Sequence, residues 1–191
     1  MSPVQELCSS ILVRTERLWI APLRPSDFER YCDIVCNAAT GQFDDEFPKS
    51  LFVAMMAFQE SMDRPPFSTE GWNEYGVFED NVGLVGLLSH CESRSMDGLS
   101  LSHVGFHFHP DCHGRGWATE SVCGLLDALS HQGIGRVECL VHPDNLRSLA
   151  LLGRIGFQKI GFNQERNEIL MGLCLGQRSE PYRIAISTFG S

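Results

Sequence analysis

A strand-like run, LSLSHVGFHFHP, passes through two glycines one residue apart into a helical pattern, and this junction, HPDCHGRGWATES (residues 109–121), constrains the fold more than any other stretch. Downstream, Ala118, Val122, Leu125, Leu126 and Leu129 fall at i, i+4, i+7, i+8 and i+11, which is one apolar face of a helix. The first N–H groups of a helix have no partner within it, and with the helix dipole they make a site for a negative group, most often phosphate. Gly114 and Gly116 would let such a ligand approach the backbone and would permit left-handed dihedrals, while Arg115 could add a cation. The plainer alternative is an ordinary glycine-rich strand-to-helix turn. No G-K-[ST] follows, so this is not a P-loop, and Thr119 stands where the third glycine of G-x-G-x-x-G would be. A diphosphate on a slimmer, longer ligand remains.

The flanking sequence reads as one α/β unit. RLWIAPL (17–23) alternates like a strand, and RPSDFERYCDIVCNAA predicts a helix to about residue 39, with Ser26 as N-cap, Glu29 three residues on, and apolar residues at 28, 31, 34 and 35. SLFVAMMAFQESM predicts a second helix. WNEYGVFED, NVGLVGLLSHCE and LSLSHVGFHFHP predict an antiparallel meander with a tight turn around Asp80 and Asn81. After the glycine junction and its helix come a strand (RVECLVHP), a helix capped by Asp144 or Asn145 (NLRSLALLGRI), and two closing strands (FQKIGF, EILMGLCL). No repeat or linker divides the chain, so a single domain over 1–191 is expected, with a core of about 15–176 and a tail, 177–191, in which YRIAIS suggests one more strand.

Composition narrows the function. No apolar run nears the ~20 residues that cross a bilayer, and the N-terminus lacks the basic start and apolar stretch of a secretory signal, so a cytoplasmic protein without a membrane partner is expected. The net charge of -9 argues against nucleic-acid binding and is compatible with a cationic substrate. The 8 cysteines form no C-x-x-C pair and read as reduced thiols; Cys32 and Cys36, four apart on a helix, read as packing residues.

The residues His113-Gly114-Arg115-Gly116-Trp117-Ala118 resemble the Q/R-x-x-G-x-G/A pyrophosphate loop of GNAT N-acetyltransferases, which bind coenzyme A. VGFHFHPDCHGRGWATES is similar to the "iGyxlhPeyqGkGyAtEa" stretch of the RimJ/RimL-type branch, HPDNLRSLALLGRIGF to its "hpdNxxSxxlxeklGF", and TERLWIAPLRPSD to its "TeRLxLRpl..D" opening, so the resemblance spans residues 15–176. It implies an α/β GNAT fold: a mixed, mostly antiparallel sheet splayed at the acetyl-CoA site, with about four helices on its faces. It further implies that the backbone of Phe106, His107 and Phe108 holds the pantetheine arm and thioester. His113, Gly114, Arg115, Gly116, Trp117, Ala118 and Thr119 would surround the pyrophosphate, with Asn145 facing the arm and Ser148 near the thiol.

The implied reaction is attack of a neutral amine on the thioester carbonyl, with a backbone N–H near Phe106 or His107 stabilising the oxyanion. A base must deprotonate the ammonium and a donor should protonate the sulfur. Here the chain departs from the family. The tyrosine that many relatives place four residues before the closing G-F is Leu152, leaving Ser148 as donor candidate; the family's glutamates correspond to Ile160 and Ser102. Glu70, Glu74, His103 and His107 lie in segments that could reach the cleft, and Glu74 or a water relay is the expected base. Strand alternation would set His103, His107 and His109 on one face, opposite Val104, Phe106 and Phe108.

The expected partners are acetyl-CoA and an amine acceptor, a peptide N-terminus or a small amine, with the protein a monomer or homodimer. Asp44, Asp45 and Glu46 could greet a cationic acceptor, and Phe43, Phe47, Phe67 and Trp72 could floor its pocket, although solvation and core packing explain them as well. Trp117 is expected to pack under the helix start. A coenzyme A-binding module without turnover is one alternative. A metal site on His103, His107, His109 and His113 is another; the glycine loop and helix that intervene speak against it, and no metal is expected.

Overall fold

The computed structural model describes residues 11–43, 50–94 and 100–177. Eight strands form one sheet among these residues: β1 (Val13–Arg14), β2 (Leu18–Ala21), β3 (Trp72–Glu79), β4 (Gly83–Arg94), β5 (Ser100–Phe108), β6 (Arg136–Val141), β7 (Gln158–Asn163) and β8 (Glu168–Cys174). Their order is β1-β2-β3-β4-β5-β6-β8-β7, antiparallel throughout except for β5 beside β6. The helices are α1 (Phe28–Val35), α2 (Leu51–Asp63), α3 (Trp117–His131) and α4 (Leu146–Ile155). The expected extra strand in YRIAIS lies outside the described residues.

Alternation along the strands sends neighbouring side chains to opposite faces and so builds two cores. On one face Leu18, Ile20, Leu88 and Val104 pack against the α3 residues Val122, Leu125, Leu126 and Leu129. On the other, Trp19, Phe78 and Leu87 meet Tyr31, Ile34 and Phe58 of α1 and α2. Trp19 stacks on Phe78 at 4.2 Å, and Phe28 and Tyr31 set their edges against Phe58 at 5.1 and 5.0 Å.

α1 is shorter than its pattern predicts and starts differently. Pro25 presets the backbone for a 3-10 turn over Pro25–Asp27, which places Ser26 inside the turn. Asp27 takes the capping role instead, its Oδ2 accepting from the Arg24 main-chain N–H at 2.8 Å. The helix stops at Val35, where the Cys36 N–H closes on the Cys32 carbonyl at 2.9 Å. α2 begins at Ser50, whose Oγ accepts from the Val53 N–H at 3.3 Å.

The feature that makes room for a site is the brevity of the parallel pairing. Only Leu101–Arg136, Ser102–Val137 and His103–Glu138 are in register. Beyond them β5 continues on β4 as far as Phe108, and β6 continues on β8 as far as Val141, while their facing edges part.

Candidate active site

The parted edges point toward the helices that follow them. Gly114 and Gly116 have φ of 76° and 77°, the left-handed conformation the two-glycine spacing suggests. The first backbone bond of α3 runs from the Glu120 N–H to the Gly116 carbonyl at 3.1 Å, so the amides of Trp117, Ala118 and Thr119 lie ahead of the helix ladder. Trp117 is buried in the core, and the Arg115 guanidinium lies over its ring, 4.8 Å from the centroid.

What holds this loop comes from the start of the chain. Glu120, only 3 % exposed, receives the Thr15 hydroxyl at 2.6 Å, the Arg17 main-chain N–H at 2.8 Å and the Arg17 Nε at 2.7 Å. The same guanidinium donates through Nη1 to the Arg115 carbonyl at 3.0 Å, tying helix and loop to β2. Sequence reasoning missed this network because a glutamate in a first helical turn reads as a partner of the helix dipole, which hides its burial.

His113 bridges the two sides of the gap. An arginine can only donate, so Nδ1 accepts from Arg147 Nη1 at 3.1 Å, and Nε2–H donates to the Phe108 carbonyl at 3.1 Å. Of the two cap candidates for α4 it is Asn145 that serves, its Oδ1 accepting from the Ser148 N–H at 3.2 Å. Asn145 and Ser148 are half-buried and line the cleft, together with the β5 backbone from Phe106 to Phe108. Leu152 is wholly buried in the core.

On the α1/α2 face, register places Glu74, Ser89 and Gly105 in one row across three strands. His103 and His107 flank Gly105 on that same face. A Cβ at Gly105 would lie 2.7 Å from Ser89 Oγ, so the glycine leaves a notch in the cleft floor. Glu74 accepts from Ser61 Oγ at 3.0 Å. Burial raises its carboxyl above the usual range, opposed by the Ser61 hydrogen bond, the nearby His107 and a hydrogen bond to Tyr31. Burial likewise pushes the Tyr31 phenol up, and Glu74 reinforces the shift. Ser61 and Tyr31 had no signature in the sequence, since each needs the tertiary approach of α1 and α2 to β3.

The remaining candidates divide. Phe43 lines the cleft and stacks on His142 at 5.5 Å, and Trp72 stands exposed at its rim. Phe67 packs instead against Tyr75 and His90 on the opposite face. Glu70 is exposed outside the cleft lining, and Asp44, Asp45, Glu46 and Phe47 lie outside the described residues. His109 falls one residue beyond β5, its Nδ1 accepting from the Asp111 N–H at 3.3 Å. Among the described residues no three His, Cys, Asp or Glu side chains are grouped to hold a metal ion, and no helix is long and apolar enough to cross a membrane.

Comparison with known proteins gives this geometry a context. Residues 17–158 match the family model described as an acetyltransferase (GNAT) domain. No curated protein matches the sequence. Among solved structures, an acetyltransferase (GNAT family) from Bacillus anthracis superposes with a TM-score of 0.70 at 16% identity, covering 86% of this chain and 99% of that one. Mycobacterium smegmatis RimJ in complex with CoA-disulfide gives 0.69 at 16% identity, over 86% and 85%. Spermidine N-acetyltransferase from Vibrio cholerae, in complex with CoA and spermine, gives 0.66 at 15% identity, over 84% and 96%. At such identities the likeness to these structures is one of fold.

Proposed function

Since this chain belongs to the GNAT acetyltransferase family, we propose that it transfers an acetyl group from acetyl-CoA to a primary amine. The observation that carries this reading is the run of parted β5 and β6 edges leading to the uncommitted amides of Trp117, Ala118 and Thr119. These residues fit the carrier. Backbone amides at a helix start suit a diphosphate, the bare turn at Gly114 and Gly116 leaves room for its approach, and unpaired strand edges suit the amides of a pantetheine arm. Bound there, the thioester would supply an activated acyl carbon and a thiol leaving group.

The chain's own groups then have defined tasks. Phe106, His107 and Phe108 orient the arm through their backbone, and an N–H at Phe106 or His107 meets the developing oxyanion. Glu74 takes the proton from the incoming ammonium, directly or through a water, and burial makes it a stronger base than an exposed carboxylate. Tyr31 and Ser61 hold its carboxylate in place. Ser148, in the first turn of α4 beside the Asn145 cap, is the donor to the departing sulfur, passing on the proton that the nitrogen of the tetrahedral adduct gives up. The acceptor enters over the Gly105 notch, between α1, α2 and the Phe43–His142 stack. A polypeptide N-terminus and a small amine are both chemically admissible.

The test is an acceptor panel of small amines and short peptides with release of free coenzyme A as the readout. Turnover with at least one amine is expected. Tight binding of acetyl-CoA with no turnover across the panel would instead establish a coenzyme A-binding module.

A further inference from the structure

The hydrogen bond between Arg147 and His113 has no place in the catalytic scheme, yet it spans the gap that a ligand in the proposed site must thread. His113 belongs to the loop after β5, and Arg147 to the first turn of α4 after β6. An arm lying between the parted strands, with its phosphates on the α3 amides, runs between these two elements. The contact lies across that path.

Arg147 is exposed and is close to no carboxylate among the described residues; it donates instead to the ring nitrogen Nδ1 of His113. The other arginines near the loop are engaged. Arg17 is committed to Glu120 and the Arg115 carbonyl, and Arg115 lies over Trp117. A guanidinium forms its stronger hydrogen bonds with anions, in a forked geometry that suits phosphate oxygens. Exchanging an imidazole lone pair for a phosphate is therefore favourable, while His113 remains anchored through Nε2–H to Phe108.

We propose that Arg147 is a side-chain ligand of the coenzyme A diphosphate, leaving His113 to clasp it. This rests on the coenzyme A reading above. In that role Arg147 supplies a mobile cation to a site whose other groups are fixed amides.

The experiment is calorimetric titration of the full chain, wild type and Arg147→Met, with coenzyme A and with dephospho-coenzyme A. The methionine keeps the length of the side chain at an exposed position, so an unchanged melting temperature is expected. Affinity should fall roughly tenfold or more, by the same factor for both ligands, and Arg147→Lys should recover part of it. Undiminished affinity in Arg147→Met overturns the proposal. A loss seen with coenzyme A and absent with dephospho-coenzyme A moves the contact to the 3′-phosphate and overturns the diphosphate assignment. If the wild type binds neither ligand, the coenzyme A reading itself falls and this one with it.

Discussion

Arg17 and Glu120, 103 residues apart in sequence, meet in a forked contact in which one carboxylate oxygen takes both Nε and Nη2, at 2.7 and 2.6 Å, and the other takes the Arg17 main-chain N–H. The contact fixes the direction in which α3 leaves the glycine loop, and hence where its leading amides point.

Replacing Glu120 with alanine should therefore have two effects. Arg17 is about half exposed and can rehydrate, but the Thr15 hydroxyl and the Arg17 amide lose a charged acceptor, and stability should fall by roughly 1–3 kcal/mol. Acetyl-CoA binding should weaken in parallel. Urea unfolding and calorimetry check the pair; normal affinity in a destabilised variant would show that the contact does not orient the loop.

The two glycines separate backbone strain from steric blockage. Alanine at either costs about 1 kcal/mol, because a Cβ is disfavoured at positive φ. An added Cβ meets no atom at Gly114 and touches Arg17 Nη2 at 3.4 Å at Gly116. Valine at Gly116 is thus expected to lower acetyl-CoA affinity more than valine at Gly114, measured by titration at a temperature where both remain folded.

Glu74→Gln should lower kcat by roughly 10²–10⁴-fold while leaving acetyl-CoA affinity intact. The sign of its stability effect is the reverse of the usual carboxylate. A folded-state pKa above the unfolded one means that the native state holds the extra proton, so stability falls as pH rises from the ordinary carboxylate range through the raised value, and stays reduced above it. The glutamine variant should accordingly be no less stable than wild type at neutral pH, and should lack that decline. The wild-type rate should rise with pH across the same window. A glutamine variant with full kcat removes Glu74 from the mechanism.

His90 governs a separate acid limb. It is fully buried, its Nε2 hydrogen-bonded at 3.1 Å to the Tyr75 hydroxyl, which itself accepts from the Phe67 N–H at 2.8 Å. Burial lowers the imidazole pKa to about 4. Between about 6.5 and about 4 the unfolded chain binds a proton that the native state refuses, so stability should drop as pH falls, by up to ~1.4 kcal/mol per unit. His90→Phe should flatten that slope. Unfolding midpoints from pH 4.5 to 7 measure it, and an unaltered slope would assign the limb to other groups.

What could be read in advance was whatever a local pattern encodes. The glycines at 114 and 116, the apolar face from Ala118 to Leu129 and the succession of elements from β2 to β8 along the chain are written in spacing, and the structure has them as expected, whereas the short β1 was not foreseen. Boundaries were less legible. Ser26 matched a cap pattern, but Pro25 started the turn earlier and handed the role to Asp27. Contacts across long separations were not legible at all: Thr15 and Arg17 on Glu120, Ser61 and Tyr31 on Glu74, and Arg147 on His113 each join elements whose approach only the finished sheet decides. Leu152 marks the same limit from the other side, since a leucine where the resemblance implies a tyrosine became intelligible only once the side chain was seen filling the core.

The three-residue overlap of β5 and β6 leaves two raw strand borders inside the sheet rather than at its rim. A border at the rim invites unwanted neighbours, whereas these two face each other across a distance no backbone rung can span. A guest that carries its own amides can lace them together, acting as a temporary rung ladder between the halves of the molecule. Hydrogen exchange along Val104–Phe108 should then slow when acetyl-CoA is added, making this seam a reporter of occupancy.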